Sequence, residues 1–417
     1  TTEAPVTSRF RFAITAGWGF ADQALSSLTN FALSFIVARS VGTDALGAFS
    51  IVFSTYLLFL NVARPLAMQP LLIRFSGTPP TEWRRVTEAA VGLSLLIGAG
   101  GAVAACAAGL LLGGVLGEGL TGMGVLLPGL LVQDSWRLAF FAAGRGRAAF
   151  LNDLVWAVIL FPGLALALLV WHADVAGLIL IWGLAAVGAA LIGVVQAAVV
   201  PRPDRGPAWF REHRALATPL TVESVIGVGS LQIANLGVAA VAGLAAVGAL
   251  RAGQLLLGPL LVVFQGIQLI AIPEGSRILR RSRAALRRAC RLYGAAMCAV
   301  VAAWGAAMYL VPADLGTLLL RDNWAPAQAV IVPLSVSWGL GFAGAALTVG
   351  IRVLGRGRRV MTAGVTTSAM TMTGLIGGAV VAGAFGAASG DALGNLVGLR
   401  VAAVQLDRAL ADPEPPA

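Results

Sequence analysis

Runs of about 20 apolar residues recur along the whole chain, separated by short polar connections. A helix rises about 1.5 Å per residue, so a run of that length crosses the roughly 30 Å hydrocarbon core of a bilayer. Twelve such runs are readable, at about 13–39, 47–72, 86–112, 121–143, 150–171, 176–200, 216–240, 246–273, 289–311, 326–350, 360–383 and 386–404. The longest connection is PRPDRGPAWFREHR, Pro201 to Arg214, and no stretch reads as an appended soluble domain. The pattern predicts an all-α, polytopic membrane protein of about 12 transmembrane helices.

The pattern also repeats. GRGRAAF begins at Gly144 and GRGRRVM at Gly355, each after the fourth span of its half. Placing Asp22 over Glu223, an offset of 201, lays VARSVGTDALGA (37–48) over VAAVAGLAAVGA (238–249). Val37, Ala38, Gly42, Ala45, Gly47 and Ala48 then match Val238, Ala239, Gly243, Ala246, Gly248 and Ala249. The expected organisation is two six-helix bundles, 1–205 and 206–417. Six is even, so both halves point the same way across the membrane. Their pseudo-two-fold axis then runs along the membrane normal, as in parallel-repeat transporters.

Composition adds weight to the membrane reading. The chain is 58% apolar and only 12% charged, against about 25% charged in soluble domains. Its 52 glycines suit closely packed membrane helices. The net charge is +10, and all 29 basic residues are Arg. With the N-terminus inside, 24 of the 29 fall on the inner side and only Arg39 and Arg321 on the outer ends. That asymmetry satisfies the positive-inside rule and places both termini in the cytoplasm of a bacterial cytoplasmic membrane. The leading TTEAPVTSRFRF, with Arg9 and Arg11, reads as the lead-in to an uncleaved first span. The arginines sit in short loops between spans, so anionic lipid is their expected partner and nucleic acid is not. The stretch RILRRSRAALRR (277–288) is the densest such loop. Cys106, Cys290 and Cys298 show no CxxC spacing and read as small core residues. His172 and His213 belong to different loops, which argues against a metal site or a His-based catalytic triad, and no cofactor is implied.

Polar groups inside spans are costly, which makes them functional candidates. In the first span Asp22, Ser26, Asn30 and Ser34 fall at helical spacing; the serines can equally act as helix–helix glue. The second span carries Ser50, Ser54, Asn61 and Arg64 on one face, and the eighth carries Arg251, Gln254 and Gln265. Under the 201 offset Arg64 overlies Gln265, and Ser50 overlies Arg251. Both stripes are expected to face a central cavity, where arginine forks suit an anionic headgroup. Snorkelling is the rival reading for Arg251. In the fourth span Asp134 and Arg137 are three apart and able to pair. Glu223 is the repeat mate of Asp22. Pro65, Pro70 and Pro259 are expected to kink the second and eighth spans.

FIVARSVGTDALGAFSIVFS (35–54) and LLLRDNWAPAQAVIVPL (318–334) carry a family resemblance. They are similar to the opening hairpin, and to the segment before the tenth helix, of the polysaccharide-biosynthesis branch of the multidrug/oligosaccharidyl-lipid/polysaccharide (MOP) flippases. The resemblance implies two six-helix bundles around a central cavity. It also implies transfer of a polyprenyl-pyrophosphate-linked glycan from the inner to the outer leaflet for cell-surface polysaccharide synthesis, with H+ or Na+ as a possible coupling ion. Family cavities are often cationic; here Asp22, Glu223 and Asp134 accompany Arg64 and Arg251, a departure from that pattern. The alternative is the cation-coupled multidrug antiporter branch, which also places an acid in the first helix. A membrane-embedded glycosyltransferase or polymerase is a third reading, disfavoured by short outer loops and by the lack of a paired-carboxylate constellation.

Overall fold

In a computed structural model, the described residues are 5–412, with side chains described from 17 onward except at 266, 269, 270 and 273. The expected placing of Arg9 and Arg11 therefore lies outside the described side chains. Nine helical segments are long and apolar enough to cross a membrane. Two of these are broken: one by Gly243 at φ 82°, the other at Ala382 and Gly383. Counting the two halves of each broken segment gives eleven, and the first helix, Pro5–Ser40, brings the long helices among the described residues to twelve.

We number them α1 (Pro5–Ser40), α2 (Thr43–Arg74), α3 (Pro80–Leu112), α4 (Gly114–Ala142), α5 (Gly146–Leu169), α6 (Val175–Ala197), α7 (206–242), α8 (244–279), α9 (Arg283–Tyr309), α10 (Trp324–Val353), α11 (357–381) and α12 (384–411). No strand occurs among the described residues. Large apolar side chains stay exposed along the helices, Leu111 at 87%, Val195 at 80% and Val381 at 85%, as befits a surface solvated by lipid.

The two GRGR segments adopt the same turn. Gly144 and Gly355 have φ of 67° and 71°, a conformation that costs glycine nothing and other residues a steric penalty. The Gly144 N–H donates to the Phe141 carbonyl and the Arg145 N–H to that of Phe140; Gly355 and Arg356 repeat this with Arg352 and Ile351. Gly42 and Gly243 end α1 and α7 at an offset of 201, but the GRGR turns are 211 apart. The drift has a visible source. Gly113 alone links α3 to α4, whereas a short helix, Ala313–Leu320, is inserted between α9 and α10.

The chain forms two compact units. The first is Thr1–Ser40 with Val52–Val225; the second is Val41–Ile51 with Ile226–Ala417. This differs from the expected boundary at 205/206, because the start of α7 packs with the first unit. Trp209 donates its indole N–H to the Ala67 carbonyl (3.1 Å) and stacks near Phe75, and His213 is buried beside it. The core of the first unit is set by such pegged indoles. Trp83 donates to the Ala139 carbonyl and Trp136 to that of Ala190. The second unit packs Leu286, Cys290, Leu347, Ile351, Ala402 and Leu406 between α9, α10 and α12. Cys106, Cys290 and Cys298 are free thiols.

The expected kinks need correction. Pro65, which lacks an N–H, opens a π-helical turn at Arg64–Met68 in α2. Pro259 lies in uninterrupted α-helix, so the repeat mate has no matching change.

Candidate functional site: a charge network in the first unit

Four helices of the first unit turn polar residues toward one another. α1 supplies Asp22, Gln23, Ser26 and Asn30 along one face. α2 supplies Asn61 and Arg64, α4 supplies Gln133, Asp134 and Arg137, and α5 supplies Asn152 and Asp153. Asp22 is 0% exposed and Asp153 is 2% exposed, burial that a carboxylate in a spanning unit tolerates only with compensation.

Two ion pairs organise the network. Arg64 grips Asp134 in a two-pronged contact, Nε to Oδ2 at 2.8 Å and Nη2 to Oδ1 at 2.5 Å. Arg137 donates from Nε to Asp22 Oδ2 at 2.5 Å and from Nη2 to Gln23 Oε1 at 3.0 Å. The same Nε lies 3.7 Å from Asp153 Oδ2, so two carboxylates from different helices compete for one guanidinium. Asp134 and Arg137, expected to pair with each other, instead each take a partner from another helix.

Amides complete the arrangement. Gln133 Nε2 donates to Asp153 Oδ1 at 2.9 Å, and Asn152 Nδ2 donates to the Ala189 carbonyl and to Gln196 Oε1. Asp22 Oδ1 and Asp153 Oδ2 are buried without a hydrogen-bond partner among the described residues. A cavity of about 200 Å³ opens beside the network, bounded by Asn30, Tyr56, Arg64, Arg137, Asp153 and Trp156.

The remaining candidates take no part in these two ion pairs. Asn30 and Asn61 donate to carbonyls of their own helices, at Ser26 and Leu57, and Asn61 Oδ1 also accepts from Ser224. Glu223 is exposed on the part of α7 that packs with the first unit. Arg251 and Gln254 are half-buried on α8 in the second unit, and Gln265 is exposed there. Among the described residues, no group of three His, Cys, Asp or Glu side chains is placed to hold a metal ion.

Sequence reasoning missed Asp153, Gln133, Asn152 and Gln196. The dipeptide Asn152–Asp153 falls at the start of the apolar run expected at about 150–171; the true start of α5 at Gly146 carries it inward. Also missed was a cluster in the second unit. There Ser337 donates to Asp391 Oδ2, and Asn395 Nδ2 reaches Ser337 Oγ at 3.0 Å and Asp391 Oδ1 at 3.4 Å. The i, i+4 spacing of Asp391 and Asn395 inside the last apolar run was the available signal.

No protein-family model and no curated protein matches the chain. Solved structures do. An inward-facing multidrug resistance MATE family transporter of the MOP superfamily aligns with a TM-score of 0.67 at 15% identity, over 92% of this chain and 94% of that one. The lipid II flippase MurJ, in an inward closed conformation, aligns with a TM-score of 0.66 at 10% identity, over 94% and 89%. A MOP superfamily transporter from Pyrococcus furiosus, whose description speaks of a binding pocket of reversed polarity, aligns with a TM-score of 0.53 at 13% identity, over 96% and 95%. At these identities the likeness is one of fold: the chain has the fold of MOP-superfamily transporters.

Proposed function

We propose that the chain is an ion-coupled flippase of the bacterial cytoplasmic membrane. It moves a polyprenyl-pyrophosphate-linked oligosaccharide from the inner to the outer leaflet by alternating access, with both termini cytoplasmic. The fold it shares with a lipid II flippase and the segments 35–54 and 318–334 support the cargo. The 24 inner-side arginines support the orientation.

The observation that carries the coupling is the charge balance of the network. Asp22, Asp134 and Asp153 face Arg64 and Arg137, three carboxylates against two guanidiniums. One negative charge in an apolar unit calls for one more positive charge. The two orphaned carboxylate oxygens, Asp22 Oδ1 and Asp153 Oδ2, are where a proton or a monovalent cation would bind. Neutralising Asp22 frees the Arg137 fork to turn to Asp153, already within 3.7 Å. Such a swap changes which helices α4 is tied to, α1 or α5, and gives a bound ion a differential grip on two conformations.

Reconstituted vesicles with an imposed pH or Na+ gradient test this. A fluorescent lipid-linked glycan should cross faster with the gradient than without it. Asp22→Asn should abolish that acceleration by at least about tenfold while leaving protein level and melting temperature near wild type. Gradient acceleration intact in Asp22→Asn at equal protein level would remove Asp22 from coupling. The second reading, a cation-coupled multidrug antiporter, draws on the same network and on the MATE likeness. Gradient-driven movement of a cationic dye, with no movement of the glycan lipid, would decide for it.

A further inference from the structure

The second unit holds a cavity of about 330 Å³ that the charge network does not use. Its polar lining consists of Gln268 from α8, Thr348 and Arg352 from α10, Thr367 and Ser368 from α11, and Asn395 from α12. On α10 the lining positions Gly341, Gly344, Thr348 and Arg352 follow one helical face and run about 16 Å along the axis. Small residues keep the space open. An added Cβ at Gly364 or Gly227 meets nothing within 4 Å.

The chemistry of this lining is selective. It offers one permanent cation, two amides and three hydroxyls, and no carboxylate among the lining residues. Thr348 and Thr367 spend their hydroxyl protons on the Gly344 and Ala363 carbonyls, which turns them into acceptors toward the cavity. Asn395 is held by its Nδ2 against Ser337 and Asp391, which leaves its Oδ1 as the free end. Asp391 thus works from behind the wall as a positioning residue. A cationic drug would find no acid here. A ligand with many hydroxyls and a negative charge would find acceptors and donors in alternation, with the guanidinium fork at one end.

We propose that this cavity seats the headgroup of the transported lipid: a sugar against Gln268, Thr348, Thr367, Ser368 and Asn395, and its phosphate against Arg352. This rests on the flippase reading and names where the cargo's polar end sits. A volume of this order falls within the range of small-molecule pockets and suits one or two sugar rings.

The test is binding to purified full-length protein in nanodiscs. Three probes are compared: inorganic pyrophosphate, farnesyl pyrophosphate, and a farnesyl-pyrophosphoryl disaccharide. Wild type should bind the disaccharide probe at least about tenfold tighter than farnesyl pyrophosphate. Arg352→Gln should weaken both farnesyl probes about tenfold or more, the scale of one charge-assisted contact. Gly364→Leu should weaken only the disaccharide probe, because the new side chain fills the sugar space. It enters open room in a helix that favours leucine over glycine, so folding is preserved. Arg358→Gln, on the same turn but outside the lining, should leave all three affinities unchanged. If wild type binds the disaccharide probe while Arg352→Gln and Gly364→Leu stay within twofold of it, the seat is elsewhere and the flippase reading survives. Equal affinity for inorganic pyrophosphate and the disaccharide probe would reduce the cavity to a bare anion site and overturn the proposal. If wild type binds a tetraalkylammonium dye and none of the three probes, both the seat and the flippase reading fall.

Discussion

In the first unit, Arg64 and Arg137 are each held by a carboxylate from another helix. In the second, Arg352 ends on the wall of a cavity whose lining contains no carboxylate. The two units share a six-helix order and the same GRGR turn after their fourth helix. In both, arginines of that turn pin the unit's last helix: Arg145 donates to the Gln196 carbonyl at the end of α6, and Arg359 to Asp412 beyond α12. The scaffold is therefore repeated while the polar interior is not. One interior is a closed charge network, paired but for one excess carboxylate, the other a space with donors and acceptors to spare. The duplicated backbone conserves turns and helix ends, which depend on glycine and on exposed arginine. The interior positions are free to diverge because either solution leaves the helices packed.

The largest expected effect comes from opening the closed set. Arg137→Leu leaves Asp22 and Asp153 buried with no cation, and breaking a buried pair by removing one partner costs about 3–5 kcal/mol. The variant should insert poorly or melt far below wild type in detergent. The double variant Asp22→Asn/Arg137→Gln, which returns the network to its wild-type excess of one negative charge, should recover part of that loss. If Arg137→Leu melts like wild type, the first unit is no more closed than the second.

The next effect should be the same in both units. Gly144→Val and Gly355→Val each force a β-branched residue to a positive φ, at a cost of about 1–2 kcal/mol. Melting temperatures of the two variants should fall by similar amounts. A large drop at one and none at the other would show that the turns are equivalent in shape alone.

Much of this scaffold was legible in the sequence. Apolar runs mark helices because length and hydropathy are local properties, and GRGR marks its turn because only glycine takes that backbone readily. The boundaries were less legible. Gly243 was read as a match to Gly42, and it does break the helix; yet the start of α7 joins the first unit through Trp209 and His213, contacts no local pattern announces. The site was legible residue by residue but not in its pairing. Asp22, Arg64, Asp134 and Arg137 stand out as charges inside spans. Helical spacing suggested that Asp134 would meet Arg137, because it reports only neighbours on one helix. The competition of Asp22 and Asp153 for Arg137 arises from three helices meeting, which spacing within any one of them does not encode. Asp391 and Arg352 were passed over for the same reason: each gains meaning from α10, α11 and α12 together.

A smaller effect is expected at Asp391, whose carboxylate is held by a hydroxyl and an amide and sits in no ion pair among the described residues. Asp391→Asn keeps an acceptor for Ser337 and loses part of one contact, so stability should change by about 1 kcal/mol, the scale of one hydrogen bond. Affinity for the disaccharide probe should fall as Asn395 loses its fixed orientation. A loss of stability as large as that of Arg137→Leu would mean that the second unit also depends on buried charge for its fold.

The smallest effect tests whether charge pairs outside the spans matter to either unit. Arg202 and Asp204 pair in the connection between α6 and α7, with Nε to Oδ1 at 3.1 Å and side chains 49% and 61% exposed. The hydrogen bond from Arg202 holds the Asp204 carboxyl below the ordinary carboxylate range. A carboxyl lowered on folding stabilises the protein above its unfolded pKa, near 4, and that contribution is lost as pH falls through the folded value. At pH 7 the contribution is therefore fully present, but solvent screens an exposed pair until little remains. Asp204→Asn should leave the melting temperature unresolved from wild type at pH 7, and the two should also coincide once the pH falls below the lowered folded value, where the wild-type carboxyl takes up its proton. The buried network predicts the reverse for Arg137→Leu, because Asp22 and Asp153 would lose a cation that no solvent replaces. A clear drop for Asp204→Asn at pH 7 would show that a solvated pair weighs as much as a pair inside the spans. The contrast drawn between closed and open interiors would then no longer rest on burial.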